Sequence, residues 1–182
     1  MIPKIYECLG KDQLRPVLEY AFITKKKTCA TDAHVLIAYD TEELFGQEFV
    51  DALPDEGILL NETALQDMAK KDANSITFNG KIEVQHLGRS PHKAYFDYKT
   101  QESVGTYPDF ESVIPKKEDG EPVPHIGVNA KDLLRLQNAM GPGVKGVACY
   151  FTGISRAIIV EPLNTDYKSI TAIIIPMQIK FY

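Results

Sequence analysis

The 182 residues are 44% hydrophobic and 25% charged, a balance that suits one sizeable core, or a full domain plus a smaller piece, and excludes a disordered chain. A formal net charge of −5 excludes a surface that attracts nucleic acid as a whole, so any such contact must come from a local basic face. No apolar run approaches the roughly 20 residues of a membrane helix, and Met1-Ile2-Pro3-Lys4 has no secretory apolar region, so a cytoplasmic location is expected.

Ile5–Cys8 is a short strand candidate. Asp12 then caps an expected helix through Phe22, with Leu14, Val17, Leu18, Ala21 and Phe22 at helical spacing and Pro16 in the first turn. Thr28–Thr31 and His34–Tyr39 are β-like runs joined by a turn at Asp32-Ala33, and Thr41–Glu56 is polar, acidic and read as a connection. The pattern restarts at Ile58–Leu60, where Asn61 or Thr63 caps a helix to about Lys71. Ile76–Phe78, the Asn79-Gly80 turn and Ile82–Leu87 read as a hairpin, followed by a strand at Lys93–Tyr98. Tyr107–Pro115 is bracketed by prolines and cannot be a helix interior or central strand. Its Tyr107, Phe110, Val113 and Ile114 either staple a surface crossover to the body or contribute to a pocket for another protein. A third round opens at Ile126–Val128. Asn129 caps a helix carrying Leu133, Leu134, Leu136 and Met140, Gly141-Pro142 stops it, and strands follow at Val147–Thr152, Arg156–Glu161 and Ile170–Pro176.

Three rounds of strand, helix and further strands predict an α+β architecture, with helices on one face of antiparallel sheet. The third round stands alone in this reading and needs a partner to cover its sheet edge.

Few residues suggest reaction chemistry. Cys8, Cys29 and Cys149 are widely spaced, which fits reduced thiols and neither a disulfide scaffold nor a zinc site. Asp32 and His34 form a possible carboxylate–histidine pair for general-base work, but Asp also favours turns for local reasons. His86, His92 and His125 lack ligand spacing, and Gly141-Pro142-Gly143 lacks the Lys-Ser/Thr of a phosphate loop. No cofactor or metal is expected, and no catalytic residue is assigned. Arg15, Lys70, Lys71, Lys131 and Arg135 lie on the expected polar sides of the three helices. They are either solvated surface charges or a sequence-blind strip facing double-stranded DNA.

Three segments carry a resemblance. Cys29-Ala30-Thr31-Asp32-Ala33-His34-Val35-Leu36, Tyr107-Pro108-Asp109-Phe110-Glu111-Ser112-Val113-Ile114-Pro115 and Ile173-Ile174-Ile175-Pro176-Met177-Gln178-Ile179 are similar, in order, to three signatures of the bacterial DNA polymerase III β sliding clamp. Ile126–Leu134 also resembles the opening of the clamp's last unit. The resemblance implies a shortened clamp: a complete two-unit domain at 1–115, a linker at 116–124 and a half domain at 125–182. It implies a non-enzymatic, homo-oligomeric DNA replication or repair processivity factor. Such a factor tethers a polymerase or clamp-loader-type partner to DNA through an apolar peptide cleft. Carried over residue by residue, that cleft comprises Thr31, His34, Leu36, Pro108, Val113, Ile173, Ile175, Pro176 and Met177. Val35 and Gln178 stand where the family has arginine, Ala33 where it has glycine, and Glu111-Ser112 where it has a more basic pair. Two rival readings remain open: a clamp-derived binding module that does not encircle DNA, and a small hydrolase built on Asp32 and His34.

Overall fold

The structure is a computed structural model that describes residues 2–11, 14–116 and 126–177. Asp12 as a helix cap, most of the expected linker, His125, Gln178 and Ile179 lie outside the described residues. Ten strands run in chain order: β1 Tyr20–Ile23, β2 Lys27–Thr31, β3 Val35–Asp40, β4 Ile58–Asn61, β5 Ala73–Phe78, β6 Ile82–His86, β7 His92–Phe96, β8 Val147–Tyr150, β9 Ile158–Pro162 and β10 Thr171–Ile174. The α-helices are α1 Thr41–Phe45, α2 Gln47–Ala52, α3 Glu62–Met68, α4 Gln101–Val104 and α5 Ala130–Ala139, with 3-10 turns at Ile5–Cys8, Pro16–Glu19 and Glu111–Val113. None of the described helices is long and apolar enough to cross a membrane.

Seven strands form one antiparallel sheet in the order β4-β1-β2-β3-β10-β9-β8, and β5-β6-β7 form a second. Sheet and helices together give the α+β class. The larger sheet's central strands β2, β3 and β10 are buried on both faces, which explains their continuous apolar runs. Val35, Ile37 and Tyr39 of β3 point into the main core, with Leu65 and Met68 of α3 and Leu136, Ala139 and Met140 of α5. Their neighbours Leu36 and Ala38 point to the opposite face, against Val17, Leu18, Tyr107 and Ile173. A side-chain period of 2 distributes each strand between two cores. The Tyr39 hydroxyl donates to the Ala139 carbonyl at 2.6 Å and fastens α5 to the sheet. The two longer helices start as expected: the Asn61 side chain accepts from Ala64 N–H, and that of Asn129 from Lys131 N–H.

Four expectations change. Pro16–Glu19 is a 3-10 turn, and the helix predicted through Phe22 gives way to β1, which pairs with both β2 and β4. A turn followed by a period-2 strand reproduced the helical spacing, and two flanking ladders override the local preference. Ile5–Cys8 is likewise a 3-10 turn, not a strand, and it packs against α5. The stretch read as a connection, 41–56, contains α1 and α2, whose Phe49 and Leu53 enter the main core. The third round is not alone, because β10 pairs with β3 from Thr171↔Ala38 to Ile174↔Val35. β8 stands last in the strand order of this sheet.

Candidate functional site

The face of the large sheet opposite α3 and α5 carries an open cleft of about 450 Å³. Its floor is a cross-strand pair, Leu36 of β3 opposite Ile173 of β10. Both are buried, at 3% and 2% exposure. Beyond the strand end, Ile175 N–H donates to the His34 carbonyl at 2.8 Å, which carries the wall outward. One side is the Pro16–Glu19 turn, and the other is the connector with Pro108, Phe110 and Val113.

Tyr107 anchors that connector. Its ring is buried 5.2 Å from Phe22, its hydroxyl donates to the Cys29 carbonyl at 3.3 Å, and its N–H donates to Gln101 Oε1 at 2.7 Å. Burial pushes the Tyr107 hydroxyl well above its ordinary pKa, so it stays a neutral donor. With Tyr107 fixed inward, Val113 is left 52% exposed on the rim.

The β2–β3 turn is built from side chains that sequence reading made candidates for chemistry. Asp32 Oδ1 accepts from His34 N–H at 2.8 Å and Val35 N–H at 2.9 Å. Its other oxygen lies 2.7 Å from the Arg135 guanidinium. Thr31 Oγ1 donates to the Val35 carbonyl and accepts from Ala33 N–H. Asp32 therefore organises backbone and binds an arginine, and both its carboxylate oxygens are engaged by groups other than the His34 ring. Burial pushes the Cys8 and Cys29 thiols far up, the opposite of an activated nucleophile. Ala33 takes a left-handed φ of +74° where glycine is the unstrained choice.

Seven of the nine expected cleft residues line this one cavity: Thr31, His34, Leu36, Pro108, Val113, Ile173 and Ile175. Pro176 and Met177 are not in its lining. Met177 N–H donates to the Gly127 carbonyl and turns the chain toward the third unit instead. The residues missed by sequence reading include Pro16, Val17, Leu18 and Val104. Pro16 was the available signal, since a turn there presents Val17 and Leu18 together.

The five cations expected to face DNA have different settings. Arg15 lines the cleft. Arg135 is held by Asp32, Asp132 and the Glu7 carbonyl, so its charge is largely matched within the chain. Lys70 pairs with Asp67, while Lys71 and Lys131 are exposed.

His86 is fully buried, with Nε2 at 2.7 Å from Asp67, Nδ1 at 3.2 Å from Asp72, and its ring stacked on His92 at 4.6 Å. The hydrogen bond to Asp67 raises its pKa against the opposing effect of burial, and Asp72 adds to the rise. Among the described residues, no group of three or more His, Cys, Asp or Glu side chains is arranged to hold a metal ion.

No family model and no curated protein matches the sequence. Solved structures do match. A Helicobacter pylori β clamp in complex with diflunisal aligns over 97% of this chain and 62% of its own, at 16% identity and a TM-score of 0.66. The β subunit of DNA polymerase from Streptococcus pyogenes aligns over the same shares at 14% identity and a TM-score of 0.64. The H. pylori β clamp bound to a DNA ligase peptide gives 16% identity and 0.65, again over 97% and 62%. This chain thus spans a little under two thirds of each clamp, and what it shares with them is the fold of the bacterial DNA polymerase III β sliding clamp.

Proposed function

We propose that this protein is a clamp-like tether without catalysis of its own, which binds a short apolar peptide of a replication or repair protein in the cleft between β3, β10 and the connector. The observation that carries this reading is the convergence of segments near residues 31–36, 104–113 and 173–175 on one cavity. An open, mainly aliphatic cleft with a deep Leu36–Ile173 floor suits one or two bulky side chains anchored from an extended peptide. The likeness to a clamp bound to a DNA ligase peptide supports the same mode. In this reading the chain comprises a two-unit domain at 1–115 and a half domain at 125–182, as a shortened clamp would. Titration of a fluorescent apolar pentapeptide tests it: saturable anisotropy, competed by unlabelled peptide and reduced at least tenfold by Ile175→Asp, is expected. Binding that Ile175→Asp leaves unchanged rules the site out.

The fuller role, holding the partner on double-stranded DNA inside an oligomeric ring, rests on Lys70, Lys71 and Lys131. A second reading, a binding module that does not encircle DNA, is favoured by Arg135 and Lys70 being paired within the chain and by the net charge of −5.

A further inference from the structure

We propose that the cleft reads charge as well as shape: it takes a peptide whose apolar anchors lie between a basic residue on the connector side and an acidic residue on the side of the Pro16–Glu19 turn. This inference rests on the cleft reading and names the kind of peptide that fits it. Arg15 and Asp109 are the two formal charges among the described residues that line the cleft. They belong to its opposite sides. Arg15 precedes the Pro16–Glu19 turn, and Asp109 lies on the connector just before the Glu111–Val113 turn.

Turns fix the backbone under both charges. Leu18 N–H donates to the Arg15 carbonyl at 3.0 Å, and Ser112 Oγ donates to the Asp109 carbonyl at 2.8 Å. Residues three apart in a 3-10 turn are eclipsed, so Phe110 and Val113 share the cleft side, while Glu111, exposed beside them, adds a second negative charge to the connector. Asp32, Asp40 and Asp67 each hold a basic side chain of this chain. Among the described residues, Asp109 and Glu111 take part in no ion pair, which leaves two carboxylates on the connector to meet a ligand.

Apolar burial is non-directional, so the Leu36–Ile173 floor by itself accepts an extended peptide in either direction. Charges of opposite sign on the two sides remove that degeneracy. A basic residue toward Asp109 gains an ion pair, and an acidic residue there is repelled; Arg15 reverses both preferences on the far side. Each ion pair at exposed positions such as these changes affinity about two- to fivefold. Attraction at both sides, set against repulsion at both sides, gives about tenfold discrimination between the two directions. The peptide that fits has near-zero net charge, with its charges at opposite ends, and the chain's net charge of −5 does not repel it.

The test uses the full chain and two fluorescent pentapeptides of the same composition, Glu-Leu-Ser-Leu-Lys and Lys-Leu-Ser-Leu-Glu, with both termini blocked. Anisotropy at low salt should favour one order about tenfold, and the gap should close as added salt screens the exposed charges. Arg15→Glu combined with Asp109→Lys should invert the preference. If that variant fails to fold by circular dichroism, Arg15→Gln with Asp109→Asn should abolish it. Equal affinities for the two orders, both lost in Ile175→Asp, overturn the charge proposal and leave the cleft reading standing. A preference that the Arg15 and Asp109 substitutions leave unchanged overturns it too. No saturable binding of either peptide, or binding that Ile175→Asp leaves unchanged, overturns the cleft reading, and the charge proposal falls with it.

Discussion

Replacing Asp32 by alanine removes the centre of the β2–β3 turn. The carboxylate is 14% exposed, accepts two backbone N–H bonds at 2.8 and 2.9 Å, and lies 2.7 Å from Arg135, itself 28% exposed. A hydrogen bond to a charged group is worth about 1.5–3 kcal/mol net, and a solvent-exposed ion pair under about 1. The backbone of His34 and Val35 can regain water in part, so the loss is about 3 kcal/mol. For a chain of this size that lowers Tm by about 6–12 °C. Asp32→Asn keeps the acceptor but not the charge and should cost about half as much. In a double-mutant cycle with Arg135→Met, a coupling of about 1–2 kcal/mol is expected from urea denaturation, because the pair is shielded and in contact. Because the same turn positions His34 and Leu36, Asp32→Ala should also weaken peptide binding at temperatures where the variant is folded. A cost below about 1 kcal/mol, in the range of a solvent-exposed pair, with no coupling to Arg135, refutes the assignment of Asp32 as the organiser of the cleft edge.

Ala33→Gly relieves a left-handed residue and should stabilise by about 1 kcal/mol, read from the same denaturation curves. His86 carries a raised pKa in the folded state, first through its hydrogen bond to Asp67. Its contribution is therefore complete below the unfolded value of about 6.5 and is lost as pH rises through the folded value. The stability advantage of wild type over His86→Gln should accordingly shrink between about pH 6 and pH 8; an advantage that grows over this interval contradicts the Asp67–His86 bond. If Lys70 and Lys71 face DNA, reversing both to Glu should abolish low-salt retention of duplex DNA and flatten its salt dependence by about two charges. Unchanged retention and slope assign the protein to the non-encircling reading.

The residues that were legible in the sequence are those whose local signal and tertiary setting agree. Asn61 and Asn129 cap helices in any context that begins a helix there, and Asn79-Gly80 closes a hairpin by its own backbone preference. Leu36 and Ile173 became candidates only through the clamp-like segments, since periodicity alone could not show that they sit opposite each other, whereas Val113 was already a candidate as an apolar residue of the proline-bracketed connector. The failures have the converse cause. Tyr20–Ile23 is a strand because β2 and β4 flank it, and nothing within residues 12–22 encodes those neighbours. Arg135 has the sequence of an exposed helical cation, yet Asp32, about a hundred positions earlier, claims it. Met177 continues an apolar run past Ile175, but its backbone bond to Gly127 carries it out of the cleft.

Methyl-resolved NMR during titration of an apolar pentapeptide tests the central claim most directly, because the cleft is lined by side chains from four separate segments. The account predicts saturable shifts at Leu36, Val104, Val113, Ile173 and Ile175, with Met177 and Leu163 unmoved. Shifts clustered at Met177 or Leu163, with Leu36 and Ile173 silent under saturating peptide, would contradict it.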